Sequence, residues 1–237
     1  MNNITIAEGD TRKILPMFPD LSIDLASFSP PYGSNVTFNI RKDFKAGGEF
    51  IPYALEIGRV CKLFAINLTQ LLDNSELSVF IEEFIMVMRD NGIEVFDRWI
   101  YKKAVTRPTR GIRALSNYEF FILFKGKGVN VNDLQFANIF NKTDKKHYRQ
   151  FKTCIDITRA KNRNLIASQN ELSPYPVELP LQLINCYGYD GCSVLDPFVG
   201  SGTTYDACNL SDFDNIEFFG IDINSVLIEA LNQKYNI

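Results

Sequence analysis

The chain has 237 residues, 46% apolar and 22% charged, with 25 Lys and Arg against 28 Asp and Glu for a net charge of −3. That balance suits one packed domain with a sizeable core, or one domain with a small insertion, and excludes a disordered chain. No apolar run approaches the ~20 residues of a membrane span, Met1-Asn2-Asn3 lacks a signal-peptide pattern, and neither the five cysteines (Cys61, Cys154, Cys186, Cys192, Cys208) nor the single His147 has metal-ligand spacing, so a cytoplasmic protein with reduced, packing thiols, no membrane partner and no metal is expected.

In chain order, Asn3 to Ala7 read as a short strand followed by Gly9-Asp10, and Arg12 to Phe18 as a short helix. Ile23-Asp24-Leu25-Ala26-Ser27-Phe28 has the look of a buried strand and runs into Ser29-Pro30-Pro31-Tyr32. The two prolines stop the strand and carry no N–H, so the carbonyls around them are free to face a cleft. Tyr32 then stands at the carboxyl end of a strand, where open α/β sheets bind their ligands. Such a corner suits a planar substrate bearing an amine: carbonyl and hydroxyl oxygens accept its protons and the ring stacks on its face. For a lone Pro-Pro-Tyr an ordinary strand-ending turn is the favoured reading; the downstream half of the chain shifts the balance.

Residues 33–50 form a polar loop with Gly47-Gly48 and three basic residues, Arg41, Lys42 and Lys45. Its place after the corner predicts a mobile flap. Ile51 to Lys62 predict an amphipathic helix, Leu63 to Leu68 a core strand, and Ser75 the cap of a helix reaching about Asp90 and ended by Asn91-Gly92. Ile93 to Tyr101 and Tyr118 to Phe124 predict an antiparallel hairpin at the sheet edge, with Gly126-Lys127-Gly128 as the next turn. Between its strands lies a basic, turn-rich stretch with Lys102, Lys103, Arg107, Arg110 and Arg113.

Charge is segregated along the chain. Residues 98–163 carry 16 Lys and Arg against 4 Asp and Glu, while the rest of the chain carries 9 against 24. A charge run is usually a solvated face, but segregation on this scale reads as a footprint for phosphates. Lys145, Lys146 and Arg149 lie in it, interleaved with Phe136, Phe140, Tyr148 and Phe151, which more often belong to a core than to a stacking platform.

Ser173-Pro174-Tyr175-Pro176 precedes a helix to Cys186. Ser193 to Leu195 then read as a short buried strand leading into Asp196-Pro197-Phe198-Val199-Gly200-Ser201-Gly202-Thr203, whose glycines allow a tight turn with close backbone approach. Thr203 to Leu210 predict a helix, and Glu217 to Asp222 a strand ending in a carboxylate suited to the two hydroxyls of a ribose. Tyr205 occupies the place of the third glycine of a dinucleotide fingerprint, and Asp196 would meet a pyrophosphate with like charge. Asp196 suits a ligand with an amino group or cationic centre. Asn224 caps a last helix, Ser225 to Tyr235, and with no strand after it the third strand on this side is expected from the N-terminus.

Together, Ser29-Pro30-Pro31-Tyr32 and Asp196 to Thr203 resemble the catalytic tetrapeptide and cofactor loop of the amino-methylating DNA methyltransferases that use S-adenosylmethionine. The tetrapeptide comes first, as in the permuted beta group of that family. The resemblance implies a Rossmann-like class I methyltransferase α/β sheet, circularly permuted and mostly parallel, with an antiparallel edge hairpin and a small basic target-recognition insertion. It divides the chain into a catalytic half (1–128), a recognition region (129–170) and a cofactor half (171–237). It assigns Asp10 to the adenine, Asp196 to the methionine amino group, Asp222 to the ribose, Phe198 to the sulfonium and Thr203 to the carboxylate, with Pro197, Gly200, Ser201 and Gly202 shaping the loop. The family motif ahead of the cofactor strand usually has histidine where this chain has Glu171.

On that reading Ser29 and the Pro30 carbonyl accept hydrogen bonds from an exocyclic amine, localising its lone pair, and Tyr32 stacks on a base flipped out of duplex DNA. The basic residues named above would hold DNA. Serine in the first position points to cytosine N4, with adenine N6 as the alternative. An RNA or protein methyltransferase, a non-catalytic DNA-binding module and, more weakly, a dinucleotide-dependent oxidoreductase also stay open, as do a homodimer and a cognate restriction enzyme as partners.

Overall fold

The apolar runs of the sequence become strands of a single sheet in a computed structural model that describes residues 2–30, 44, 46–70, 72–73, 76–103, 117–134, 153–157 and 175–237. Its strands are β1 (Asn3–Glu8), β2 (Ile23–Phe28), β3 (Cys61–Thr69), β6 (Val95–Lys103), β7 (Tyr118–Lys125), β8 (Cys154–Ile157), β9 (Ser193–Asp196) and β10 (Glu217–Asp222); β4 (Leu72–Asp73) and β5 (Glu76–Leu77) pair separately. The order is β1-β10-β9-β2-β3-β7-β6-β8, and only β7 runs against the rest. β1 pairs in parallel with β10, from Asn3 opposite Glu217 to Glu8 opposite Asp222, so the N-terminal strand completes the side built by the C-terminal third of the chain. The permuted order expected from the motifs is the order observed.

Alternation along the strands sends side chains to two cores. On one face Leu63, Ala65, Trp99, Phe121 and Val194 pack against α4 (Glu178–Tyr187), α5 (Thr203–Leu210) and α6 (Ser225–Tyr235). On the other, Phe28, Phe64, Ile66 and Phe124 pack against α2 (Phe50–Val60) and α3 (Phe80–Asp90). Removing each such large side chain from water is worth about 1.5–3 kcal/mol, and the strands buried on both faces are accordingly mostly apolar, with polar residues such as Asp24, Lys62, Asn67 and Asp196 towards their ends. Among the described residues no helix is long and apolar enough to cross a membrane.

Four local expectations need correction. The stretch after Asp10 is a single α turn, α1 (Thr11–Ile14), followed by a 3-10 turn, Leu15–Met17, because Pro16 lacks the N–H that a continuing helix would use. Helix α3 starts at Phe80, after Val79, because its buried stripe of Phe80, Ile81, Phe84 and Met88 starts there; Ser75 lies outside the described residues. Phe44, within the stretch expected to be a polar flap, is buried and stacks on Phe50 at 4.2 Å, with Phe84 edge-on at 4.9 Å. Finally, the hairpin of β6 and β7 is not the sheet edge: Cys154–Ile157, from the basic segment, runs parallel outside β6. Val129 and Leu134 of that segment also sit in the core.

Candidate active site

Strand register brings the two motifs together. Ala26 stands opposite Leu195 and Phe28 opposite Ile66. The next residues therefore place Ser27 beside Asp196 and Ser29 beside Asn67, all at the carboxyl end of parallel strands. Pro30 is buried and Ser29 half-buried there. Pro31 and Tyr32 lie outside the described residues, as do Arg41, Lys42, Lys45, Arg107, Arg110, Arg113, Lys145, Lys146, Arg149, His147 and Glu171.

The glycine turn is held from several sides. Gly200 and Gly202 have φ of +50° and +83°, in the left-handed region that favours glycine. Val199 N–H donates to the Ile221 carbonyl at 2.9 Å and Gly200 N–H to Asp222 Oδ2 at 3.0 Å. The hydroxyl of the buried Thr11 donates to the Pro197 carbonyl at 2.6 Å, and the Tyr235 hydroxyl lies 3.0 Å from the Gly202 carbonyl.

Two carboxylates meet at this turn. Asp196 is 1% exposed; Oδ1 accepts the Phe198 amide at 3.0 Å and Oδ2 the Thr204 hydroxyl. Burial pushes its carboxyl up to about 7, with the Asp222 charge adding to the rise against those two hydrogen bonds. Burial also raises Asp222, whose oxygens accept the amides of Gly200 and Asn224. Each carboxylate oxygen has two lone pairs, so both groups keep accepting capacity. Two raised acids side by side favour a ligand bringing a cation and hydroxyl groups and disfavour a pyrophosphate.

Phe198, partly exposed at the lip, packs on Phe28 (5.7 Å), Tyr53 (5.7 Å) and Phe50 (6.1 Å between ring centroids). Thr203 opens α5 and is buried, as is Ser201. Asp10 caps α1 and forks with Arg12, Nη2 to Oδ2 at 2.7 Å, and this hydrogen bond holds its carboxyl below the usual range. Arg12 also lies over the Tyr53 ring at 5.1 Å. Asp10 thus stands just past the carboxyl end of β1, already paired with a cation.

The two described basic candidates face opposite sides of β6, because successive strand residues alternate. Lys102 pairs with Asp156 at 2.9 Å, and Lys103 pairs with Glu119, which also accepts the Asn67 amide at 2.6 Å. Asn67, Glu119 and Lys103 therefore form a polar row leading away from Ser29.

Sequence reasoning missed the hydroxyls that tie the site together. Tyr175 Oη lies 3.0 Å from Ser27 Oγ and 2.7 Å from Thr204 Oγ1, and Thr204 Oγ1 is 3.2 Å from the Ser27 carbonyl. The only signal was Tyr175 within a Pro-Tyr-Pro motif. Ile223, directly after Asp222, is an apolar side chain left 73% exposed at the same end of the sheet.

A family model described as DNA methylase matches residues 23–233. The fold is similar to that of the cytosine-N4-specific PvuII DNA methyltransferase (TM-score 0.73, 15% identity, 97% of this chain and 85% of that one). It is likewise similar to a candidate DNA modification methylase from Thermus thermophilus (0.72, 20%, 99% and 94%) and to M1.HpyAVI in complex with S-adenosylmethionine (0.68, 18%, 99% and 100%). No curated protein matches the chain in sequence.

Proposed function

Since the chain belongs to the N6/N4 family of DNA methylases, an S-adenosylmethionine-dependent class of enzymes, we propose that its substrate amine is cytosine N4, in a base flipped out of duplex DNA. The adjacency of β2 and β9 carries the amine-methylating part of this reading, since the Ser29 corner and the Asp196 loop leave neighbouring strands at the same end of the sheet, with Ser27 beside Asp196; serine at position 29 supports the choice of cytosine.

The cofactor supplies an electrophilic methyl group on a cationic sulfur. Asp196 would hold its amino group and Asp222 its ribose, with Gly200, Ser201 and Gly202 admitting it to close backbone contact and Phe198 lining the sulfonium. Pro197, Thr203 and Asp10 complete that side; Ile223 offers an apolar surface to the adenine. The Ser29 hydroxyl and Pro30 carbonyl accept hydrogen bonds from the two amine N–H groups, so that the nitrogen lone pair is withdrawn from ring conjugation and aimed in line. Tyr32, after Pro31, stacks on the base. Lys102, Lys103 and the basic residues of 41–45, 107–113 and 145–149 contact phosphates, with 129–170 as the main recognition region. That region is short, which favours a homodimer or a companion restriction enzyme as part of the working system. The cytoplasm, where DNA and reduced thiols coexist, is its compartment.

The test is methyl transfer from labelled S-adenosylmethionine to mixed-sequence duplex DNA, digested to nucleosides and read by mass spectrometry. N4-methylcytosine, lost in Ser29→Ala and in Asp196→Ala, is the expected result. N6-methyladenine overturns the choice of base and leaves the rest. No methylated base despite tight cofactor binding overturns the DNA-base reading itself.

A further inference from the structure

Behind the cofactor loop four side chains from four elements form one chain of hydrogen bonds: Ser27 at the end of β2, Tyr175 ahead of α4, Thr204 in α5 and Asp196 at the end of β9. All four are buried, so water does not replace a partner once lost. The number of protons limits how the chain can be arranged. Thr204 has one hydroxyl proton and three acceptors in reach, Asp196 Oδ2, the Ser27 carbonyl and the Tyr175 oxygen. With Asp196 ionised, that proton points to the carboxylate. Tyr175 then donates to Thr204 and Ser27 donates to Tyr175, every donor aimed along the row at the negative charge. With Asp196 protonated, its own proton goes to Thr204, and Thr204 turns to the Ser27 carbonyl.

We propose that Tyr175 is a positioning residue for the cofactor: through Thr204 its hydroxyl keeps the Asp196 carboxylate ionised and oriented, and through Ser27 it ties that state to the backbone two residues before Ser29. The proposal rests on the reading of Asp196 as the group that holds the cofactor's amino group. Tyr175 touches neither the reacting amine nor the methyl group; its effect is relayed. The other groups bearing on Asp196 are Asp222 on β10, the Phe198 amide, and Cys208 on α5, whose thiol is raised by burial with Asp196 adding to the rise. Asp222 opposes a second negative charge, which leaves the hydroxyl row and the Phe198 amide to favour it. Because burial pushes Asp196 up to about 7, its ionisation falls within an accessible pH range.

The test is calorimetric titration of the full chain with S-adenosylmethionine from pH 6 to pH 9. Tyr175→Phe keeps the ring and removes only the hydroxyl. Affinity of the wild-type chain is expected to fall as pH drops through the Asp196 titration. In Tyr175→Phe the midpoint of that fall moves up by about one pH unit, a loss of up to about tenfold on the acid side, while the two proteins converge near pH 9. Equal loss at every pH, or an unmoved midpoint, makes Tyr175 merely structural and overturns the proposal. Where Tyr175→Phe fails to fold, Thr204→Ser and Thr204→Val read the same link: serine keeps the wild-type midpoint, valine moves it up, and identical profiles for both overturn it. Asp196→Asn, run alongside, separates the two levels: full affinity in that variant overturns the assignment of Asp196 to the cofactor, and with it this inference.

Discussion

The Tyr235 hydroxyl, in the last turn of α6, lies 3.0 Å from the Gly202 carbonyl at the turn into α5, and a Cβ added to Gly202 would fall 2.3 Å from that same oxygen. The C-terminal helix thus sits on the glycine turn, and a side chain at Gly202 would have to displace Tyr235 and Leu231. Gly202 also has φ +83°, so a side chain would be strained there for backbone reasons as well. Gly202→Ala is expected to destabilise the protein by about 1–3 kcal/mol and to weaken S-adenosylmethionine binding. Tyr235→Phe is expected to cost about 1 kcal/mol. Chemical denaturation and cofactor titration of both variants check this; an alanine variant of wild-type stability would refute the close fit.

Asp196 sets a conflict between stability and function. Its folded value of about 7 lies above the ordinary 3.8 of a free aspartate, so between those values the native state binds more protons than the unfolded one. Stability from this group therefore falls as pH rises from about 4 to about 7 and levels off above. Asp196→Asn is expected to flatten that limb and raise neutral-pH stability by a few kcal/mol, on the order that such a shift implies, while abolishing cofactor binding. Melting temperatures across pH for the two proteins provide the measurement.

Asp24 acts in the opposite sense at the other end of the sheet. Burial pushes its carboxyl up, yet Lys62 at 2.8 Å, the Ser193 amide at 2.9 Å and Tyr189 outweigh it and hold the value below the ordinary one. Its stabilisation is present above about pH 4 and is lost as pH falls through the lowered value. Asp24→Ala is expected to cost about 1–3 kcal/mol at pH 7 and little at pH 2, read from urea unfolding at both pH values.

Lys102 and Lys103, adjacent in sequence, should fail differently. Lys102 shares an exposed bridge with Asp156, worth little by itself and easily exchanged for a phosphate. Lys102→Ala is expected to lower the salt slope of duplex binding by about 1. Lys103 pairs with Glu119, which holds Asn67 beside Ser29. Lys103→Ala is expected to reduce methyl transfer more than DNA affinity. Binding isotherms at several salt concentrations, with turnover measured in parallel, distinguish the two; identical behaviour of both variants refutes the opposite-face assignment.

Most of the sheet was legible because its strands are short apolar runs closed by proline, glycine or acid, signals confined to a few neighbouring residues. Ile23–Phe28 and Glu217–Asp222 were read with their observed bounds. Helix starts were less legible. Nothing local separates residues 75–79 from the helix that follows, and only packing of Phe80 and Phe84 against Phe44 sets its first turn. The strand at Cys154–Ile157 was hidden in a basic segment because its partner, β6, is 54 residues earlier at the Ile100–Cys154 pair.

The sequence alone determined the architecture and the chemical class: two short motifs, in one order, imply a permuted sheet with the amine corner and the cofactor loop at the same end. Tertiary structure decided which groups tune that site. Ser27, Tyr175, Thr204 and Asp196 meet although 148 residues separate the first pair, since parallel strands bring their carboxyl ends together whatever the length of chain between them. Burial at that meeting point, absent from any local pattern, turns an ordinary aspartate into a group poised near neutrality and gives a tyrosine hydroxyl its role.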